Sequence, residues 1–132
     1  MFVLPDTSIW ISFFNNPNST ISGKLASLIE EDMIVICPTI FQEILQGTKD
    51  QESFDLLNQK LSCLTQLQAD PYEAAIGAAN IYFSLRKKGI TVRKSNDCLI
   101  AWFAIKFNVP IWHQDRDFDS IASQGKLKIY IP

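Results

Sequence analysis

The sequence is poor in the residues that build soft-metal sites. Its 132 residues contain one histidine and three cysteines. Cys37, Cys63 and Cys98 stand far apart in apolar segments and form no CxxC pair, so neither a zinc knuckle nor a disulfide framework is supported. A reducing cytoplasm is the expected setting. No apolar run approaches the roughly 20 residues of a membrane span. The N-terminus shows neither the basic region nor the small-residue cleavage site of a secretory signal. Positive charge is also short: 12 Lys and Arg against 14 Asp and Glu leave a net charge of −2. That argues against a protein whose main affinity comes from a broad basic surface. A local basic rim beside a metal site is still enough to engage nucleic acid. Internal repeats and low-complexity segments are absent.

What is present suffices for one domain, residues 1–132, since 47% hydrophobic residues can fill a real core. Phe2-Val3-Leu4-Pro5 is a short apolar run without polar alternation, as in a central strand covered on both faces. A buried helix follows through Ile9-Trp10-Ile11 and Phe13-Phe14, then loop chemistry at Asn15-Asn16-Pro17-Asn18, with Ser19 or Thr20 placed to cap the next helix. Met33 to Cys37 reads as a second strand, stopped by Pro38, which opens a helix carrying Ile40, Phe41, Ile44 and Leu45 on one face. Lys49 to Lys60 reads as another helix, with a weak strand at Cys63 to Leu67. Asp70-Pro71-Tyr72-Glu73 starts a long helix to about Lys88, rich in small residues that allow close approach of a neighbour, and Gly89 ends it. Ser95-Asn96-Asp97 opens an apolar helix to Phe107. Pro110 to His113 is a strand, a short helix lies near Asp119 to Ser123, and Leu127 to Ile131 is a last strand. Such alternation implies an α/β fold with a mostly parallel sheet of four or five strands and helices on both faces.

Four carboxylates stand at element boundaries or in apolar surroundings: Asp6, Glu43, Asp97 and Asp115. Asp6 sits at the carboxyl end of its strand, the edge where open α/β sheets bind ligands. It is equally placed to cap the helix that follows. Two carboxylates about 5 Å apart repel by roughly 3 kcal/mol at an effective dielectric near 20. If these acids converge, they need raised pKa values or a divalent cation. Oxygen ligands without His or Cys point to magnesium or manganese. Such an ion can hold a water as nucleophile and stabilise charge on a leaving oxygen.

Asp6-Thr7-Ser8, Phe41-Gln42-Glu43-Ile44, Asn96-Asp97-Cys98-Leu99-Ile100-Ala101 and His113-Gln114-Asp115-Arg116-Asp117-Phe118 follow one another in the order of a PIN domain. From end to end the chain resembles PIN-domain ribonuclease toxins of the VapC type. The resemblance implies a three-layer PIN-like fold and a pocket binding Mg2+ or Mn2+. It also implies endonucleolytic RNA cleavage, a toxin homodimer, and a small antitoxin that wraps the toxin. Carried over by position, Asp6, Glu43, Asp97 and Asp115 match the family's acidic quartet. Asp117 is the alternative for the fourth place, because some members use the acid directly before the phenylalanine. The family often has Thr or Ser where His113 stands, which leaves that hydroxyl's role open to Ser8. Pro5 is unusual in a central strand.

The only dense basic stretch, Arg86, Lys87, Lys88, Arg93 and Lys94, reads either as a solvated helix end or as a rim along which RNA phosphates pass. His113 reads as packed or solvent-facing rather than catalytic. Two further functions stay open at this point. One is a nuclease acting on DNA or structured nucleic acid through the same acids. The other is a non-catalytic module that binds a partner.

Overall fold

The computed structural model describes residues 1–132. Four short strands alternate with seven helices: β1 (Leu4–Pro5), α1 (Thr7–Asn15), α2 (Thr20–Glu30), β2 (Val35–Ile36), α3 (Pro38–Gln46), α4 (Gln51–Ser62), β3 (Thr65–Gln66), α5 (Pro71–Lys87), α6 (Ser95–Lys106), β4 (Ile111–Trp112) and α7 (Arg116–Ser123). β1 pairs in parallel with β4, and β2 with β3. Single parallel bridges, Val3 to Ile34 and Ile111 to Ile129, join these ladders to each other and to the C-terminal segment. The resulting order is β3-β2-β1-β4, with Ile129 beyond β4.

Pro5 explains why the centre of this sheet is held by one bridge. The Val3 N–H donates toward β2, to Met33, while the N–H groups of Leu4 and Asp6 donate to Pro110 and Trp112 beside β4. Position 5 therefore faces β2 again, and proline has no N–H to extend that ladder. The expected last strand, Leu127 to Ile131, shrinks to a single bridge. Only Ile129 sits in register with Ile111, with Ile111 donating to Lys128 and Tyr130 donating back to Ile111.

Helix ends carry the chemistry expected of them. Ser19 and Asp70 cap α2 and α5 by accepting from the N–H groups of Ser22 and Glu73. At their other ends α2, α5 and α6 close through a residue at positive φ: Asp32 (57°), Gly89 (79°) and Asn108 (53°). In each case the next N–H reaches back to the last turn, from Met33 to Leu28, Ile90 to Leu85 and Val109 to Ala104. The final helix begins at Arg116, earlier than the sequence pattern suggests, because Asp115 caps it from the strand end.

Val3, Leu4, Ile34, Val35, Ile36 and Ile111 are buried, as a sheet covered on both faces requires. Chain order runs outward from β1 through β2 to β3, then returns to β4 on the other side of β1. Right-handed crossovers put the helices of these two excursions on opposite faces. Between β1 and β4 the direction of winding reverses, and a crevice opens beyond the carboxyl ends of those strands. No helix is long and apolar enough to cross a membrane.

Candidate active site

At that switch point a cavity of about 150 Å³ is lined by Asp6, Thr7, Ser8, Ile11, Glu43, Lys94, Asp97, Ile100 and Asp115. Its acids come from four places: the end of β1, the middle of α3, the first turn of α6 and the turn after β4. Asp6 serves two ends at once. It caps α1, accepting from the Ile9 N–H at 3.3 Å, and it is buried against the cavity. Asp97 and Asp117 are also buried, and oxygens of Asp97, Asp115 and Asp117 lie within 4.8 Å of one another.

Hydroxyls organise these acids. Thr7 donates to Glu43 Oε1, tying α1 to α3. Ser8 Oγ donates to Asp6 Oδ1 at 2.5 Å and accepts from the Gln114 N–H at 3.2 Å. Ser8 thus stands between Asp6 and the turn that presents Asp115. His113 does something else. Its Nδ1 accepts from the Asp115 N–H at 3.0 Å, its Nε2 meets Asp119 at 3.1 Å, and its ring packs on Phe118. It shapes the turn and does not line the cavity.

Electrostatics separates the acids. Burial pushes the Asp6 carboxyl above the usual aspartate range. Burial, reinforced by Asp115, pushes Asp97 up to about 7. Asp115 ends below the ordinary value, because the Asp117 N–H, Lys94 and Arg93 together outweigh its burial. Asp97 Oδ2 is buried with no hydrogen-bond partner, a costly state for a carboxylate oxygen. An all-oxygen donor set with one unsatisfied buried oxygen fits a hard divalent cation such as Mg2+ or Mn2+.

A pH dependence follows for the cation-free chain. Asp97 holds a proton in the folded state up to about 7, while the unfolded chain releases it near ~4. The native state binds more protons in that window, so stability falls as pH rises through it. In a chelating buffer the melting temperature should be higher at pH 5.5 than at pH 7.5. Saturating Mn2+ should flatten the slope. A chelated profile that rises over this range would show that Asp97 is ionised throughout.

A model of the PIN domain matches residues 3–124. This chain belongs to the PIN-domain family. Among similar proteins are VapC ribonuclease Mb1587 of Mycobacterium bovis and Ribonuclease VapC11 of Mycobacterium tuberculosis H37Rv. Each is 38% identical over 128 residues, covering 96% of both chains. Among solved structures, the DNA-bound VapBC of Salmonella typhimurium superposes with a TM-score of 0.77 at 21% identity, covering 98% of this chain and 97% of that one. VapBC-1 of nontypeable Haemophilus influenzae gives 0.76 at 18% identity, with the same coverage. At such identities the likeness is one of fold, and it agrees with the α/β architecture described above.

Within this PIN domain the sequence-derived residues divide cleanly. Asp6, Glu43, Asp97 and Asp115 meet at one cavity, with Ser8 and Lys94 beside them. Asp115 and Asp117 are not alternatives in space: both belong to the cluster with Asp97. Arg93 joins them through its guanidinium. Arg86, Lys87 and Lys88 do not line the cavity. Arg86 and Lys87 lie over the rings of Tyr82 and Phe83, and Lys88 lines a separate cavity with Ile105 and Ile121. The basic run splits because Gly89 ends α5 and turns the chain, so only residues beyond it reach the acids. Thr7 is the member that sequence reading missed. Its partner lies 36 positions away, and no local pattern signals such a pair.

Proposed function

We propose that residues 1–132 form a single nuclease domain that cleaves RNA internally with Mg2+ or Mn2+, as the toxin of a type II toxin–antitoxin pair in the cytoplasm. The observation that carries this reading is the convergence of carboxylates from four separate elements on one cavity, one of them with an unpaired buried oxygen. The names of its 38% identical relatives, VapC ribonucleases, support RNA as the substrate class. The fold likeness to VapBC assemblies supports a protein antitoxin as partner. Tyr72, Ile76 and Phe83, large exposed side chains of α5, support a homodimer face.

Asp6, Asp97 and Asp115 would hold the cation, with Asp117 behind them and Glu43 completing the acidic wall. When bound, the cation supplies a polarised water for in-line attack and neutralises charge developing on the phosphate. Ser8 keeps Asp6 turned toward the cavity, and Thr7 does the same for Glu43. Arg93 and Lys94 at the rim can meet the phosphates that flank the scissile bond.

The test is cleavage by the purified chain of single-stranded RNA, structured RNA and DNA, with Mn2+, with Mg2+ and with EDTA. RNA should be cut internally, and chelation should abolish cutting. Preferential cleavage of DNA would move the assignment to a different nuclease. Inertness on every substrate together with calorimetrically silent Mn2+ would leave only a partner-binding module.

A further inference from the structure

An acidic cavity has to be tolerable before any cation arrives, and this chain supplies part of the neutralisation itself. Arg93 Nη2 donates to Asp115 Oδ1 at 2.9 Å, and its Nε donates to Asp117 Oδ2 at 3.3 Å. Lys94 Nζ reaches Asp115 Oδ2 at 3.4 Å. One guanidinium therefore spans two of the three carboxylates whose oxygens cluster within 4.8 Å. Burial in these pairs is lopsided. The Arg93 and Lys94 side chains are 56% and 67% exposed, against 13% for Asp115 and 8% for Asp117. The acids are fixed in the fold while the cations lean in from solvent.

On the nuclease reading above, we propose that Arg93, assisted by Lys94, is an exchangeable counter-ion: it occupies carboxylate oxygens that a divalent cation needs and swings outward when the cation binds. Ion pairs with one partner in water are weak and cost little to open. A hard divalent ion among several carboxylates has more to gain from the same oxygens. Nor does the guanidinium finish the task, since Asp97 Oδ2 keeps no partner. The motion required is small. Val92, the preceding residue, is buried and anchors the backbone, so only the Arg93 side chain needs to change rotamer. Once released, it stays tethered at the rim, where RNA phosphates would pass.

Calorimetric titration of the cation-free full chain with Mn2+ tests this, comparing wild type, Arg93→Gln, Arg93→Lys and the control Lys106→Gln. Lys106 pairs with Glu73, away from the cavity. Arg93→Gln should bind Mn2+ roughly fivefold more tightly, in keeping with loss of a weak competing ion pair. Arg93→Lys should fall between it and wild type, and Lys106→Gln should match wild type. In the unmodified chain, the Nε–Hε resonance of Arg93 should move to a solvent-exposed position on saturation with diamagnetic Mg2+. Weaker Mn2+ binding by Arg93→Gln, or a resonance that stays in place, would make the guanidinium a structural clamp and overturn the exchange. Equal affinities would remove the exchange and leave the nuclease reading intact. Absence of Mn2+ binding by wild type would remove both.

Discussion

Asp6→Asn is expected to lower RNA cleavage by at least about a hundredfold, the scale on which even the outer partners of metal ligands matter, without unfolding the protein. The substitution separates the helix cap from the metal-holding role proposed for this residue. Asparagine caps a helix about as well as aspartate does, and its amide oxygen can still accept from Ile9 and Ser8 as Oδ1 now does. What disappears is a buried negative charge, which the fold already disfavours by raising the Asp6 pKa through burial. The cation-free variant should therefore melt at or above the wild-type temperature. Asp6→Ala should behave differently, losing the cap and about 1 kcal/mol with it. Saturating Mn2+ supplies a second readout. A ligand at a hundred times its dissociation constant stabilises the folded state by about 2.7 kcal/mol. Wild type should thus gain melting temperature with Mn2+, and Asp6→Asn should gain much less. Undiminished cleavage by the purified variant would mean that Asp6 is a helix cap and nothing more.

This double duty also shows how far the site could be read from residue order. Asp6, Asp97 and Asp115 mark element ends, and ends are what sequence reads well: an apolar run stops, a capping residue stands there, and a new period begins. In a parallel sheet such ends gather on one side, so their convergence was foreseeable once the alternation of strands and helices was seen. Glu43 was marked by its apolar neighbours and its motif rather than by an element end, since a lone acid on an amphipathic helix is ordinarily solvated. The contacts that tune the site were not legible. Thr7 with Glu43, Ser8 with Gln114 and Arg93 with two aspartates join residues distant in sequence, and their existence depends on how the helices and the turns between elements are set against one another. The basic run shows the same limit, because its two halves part at a glycine whose positive φ sends the chain in a new direction. The sheet was foreseen in kind and sense but not in continuity, since a single missing N–H at Pro5 interrupts its central ladder.

Gly77→Ala is expected to destabilise the protein by about 2 kcal/mol, the middle of the range for overpacked cores. By helix propensity alone the sign would be opposite, since alanine in a helix interior is favoured over glycine by about 1 kcal/mol. Packing reverses it. α5 lies against α6, and a methyl group at position 77 would overlap the indole of Trp102, with Nε1 and Cδ1 the nearest atoms. That ring cannot easily retreat, because it packs edge-on against Phe103 with centroids 5.1 Å apart, and Lys106 lies over it. The helices must separate, and α6 carries Asp97 in its first turn. A displacement of about 1 Å can cost a hundredfold in rate when it moves a reacting group. Cleavage measured well below the melting temperature should therefore fall by more than the loss of folded protein explains. Adding Trp102→Leu should restore part of both quantities, with a coupling energy that a double-mutant cycle can isolate. Were Gly77→Ala to melt and cleave like wild type, the close approach of α5 to α6 would not be what positions Asp97.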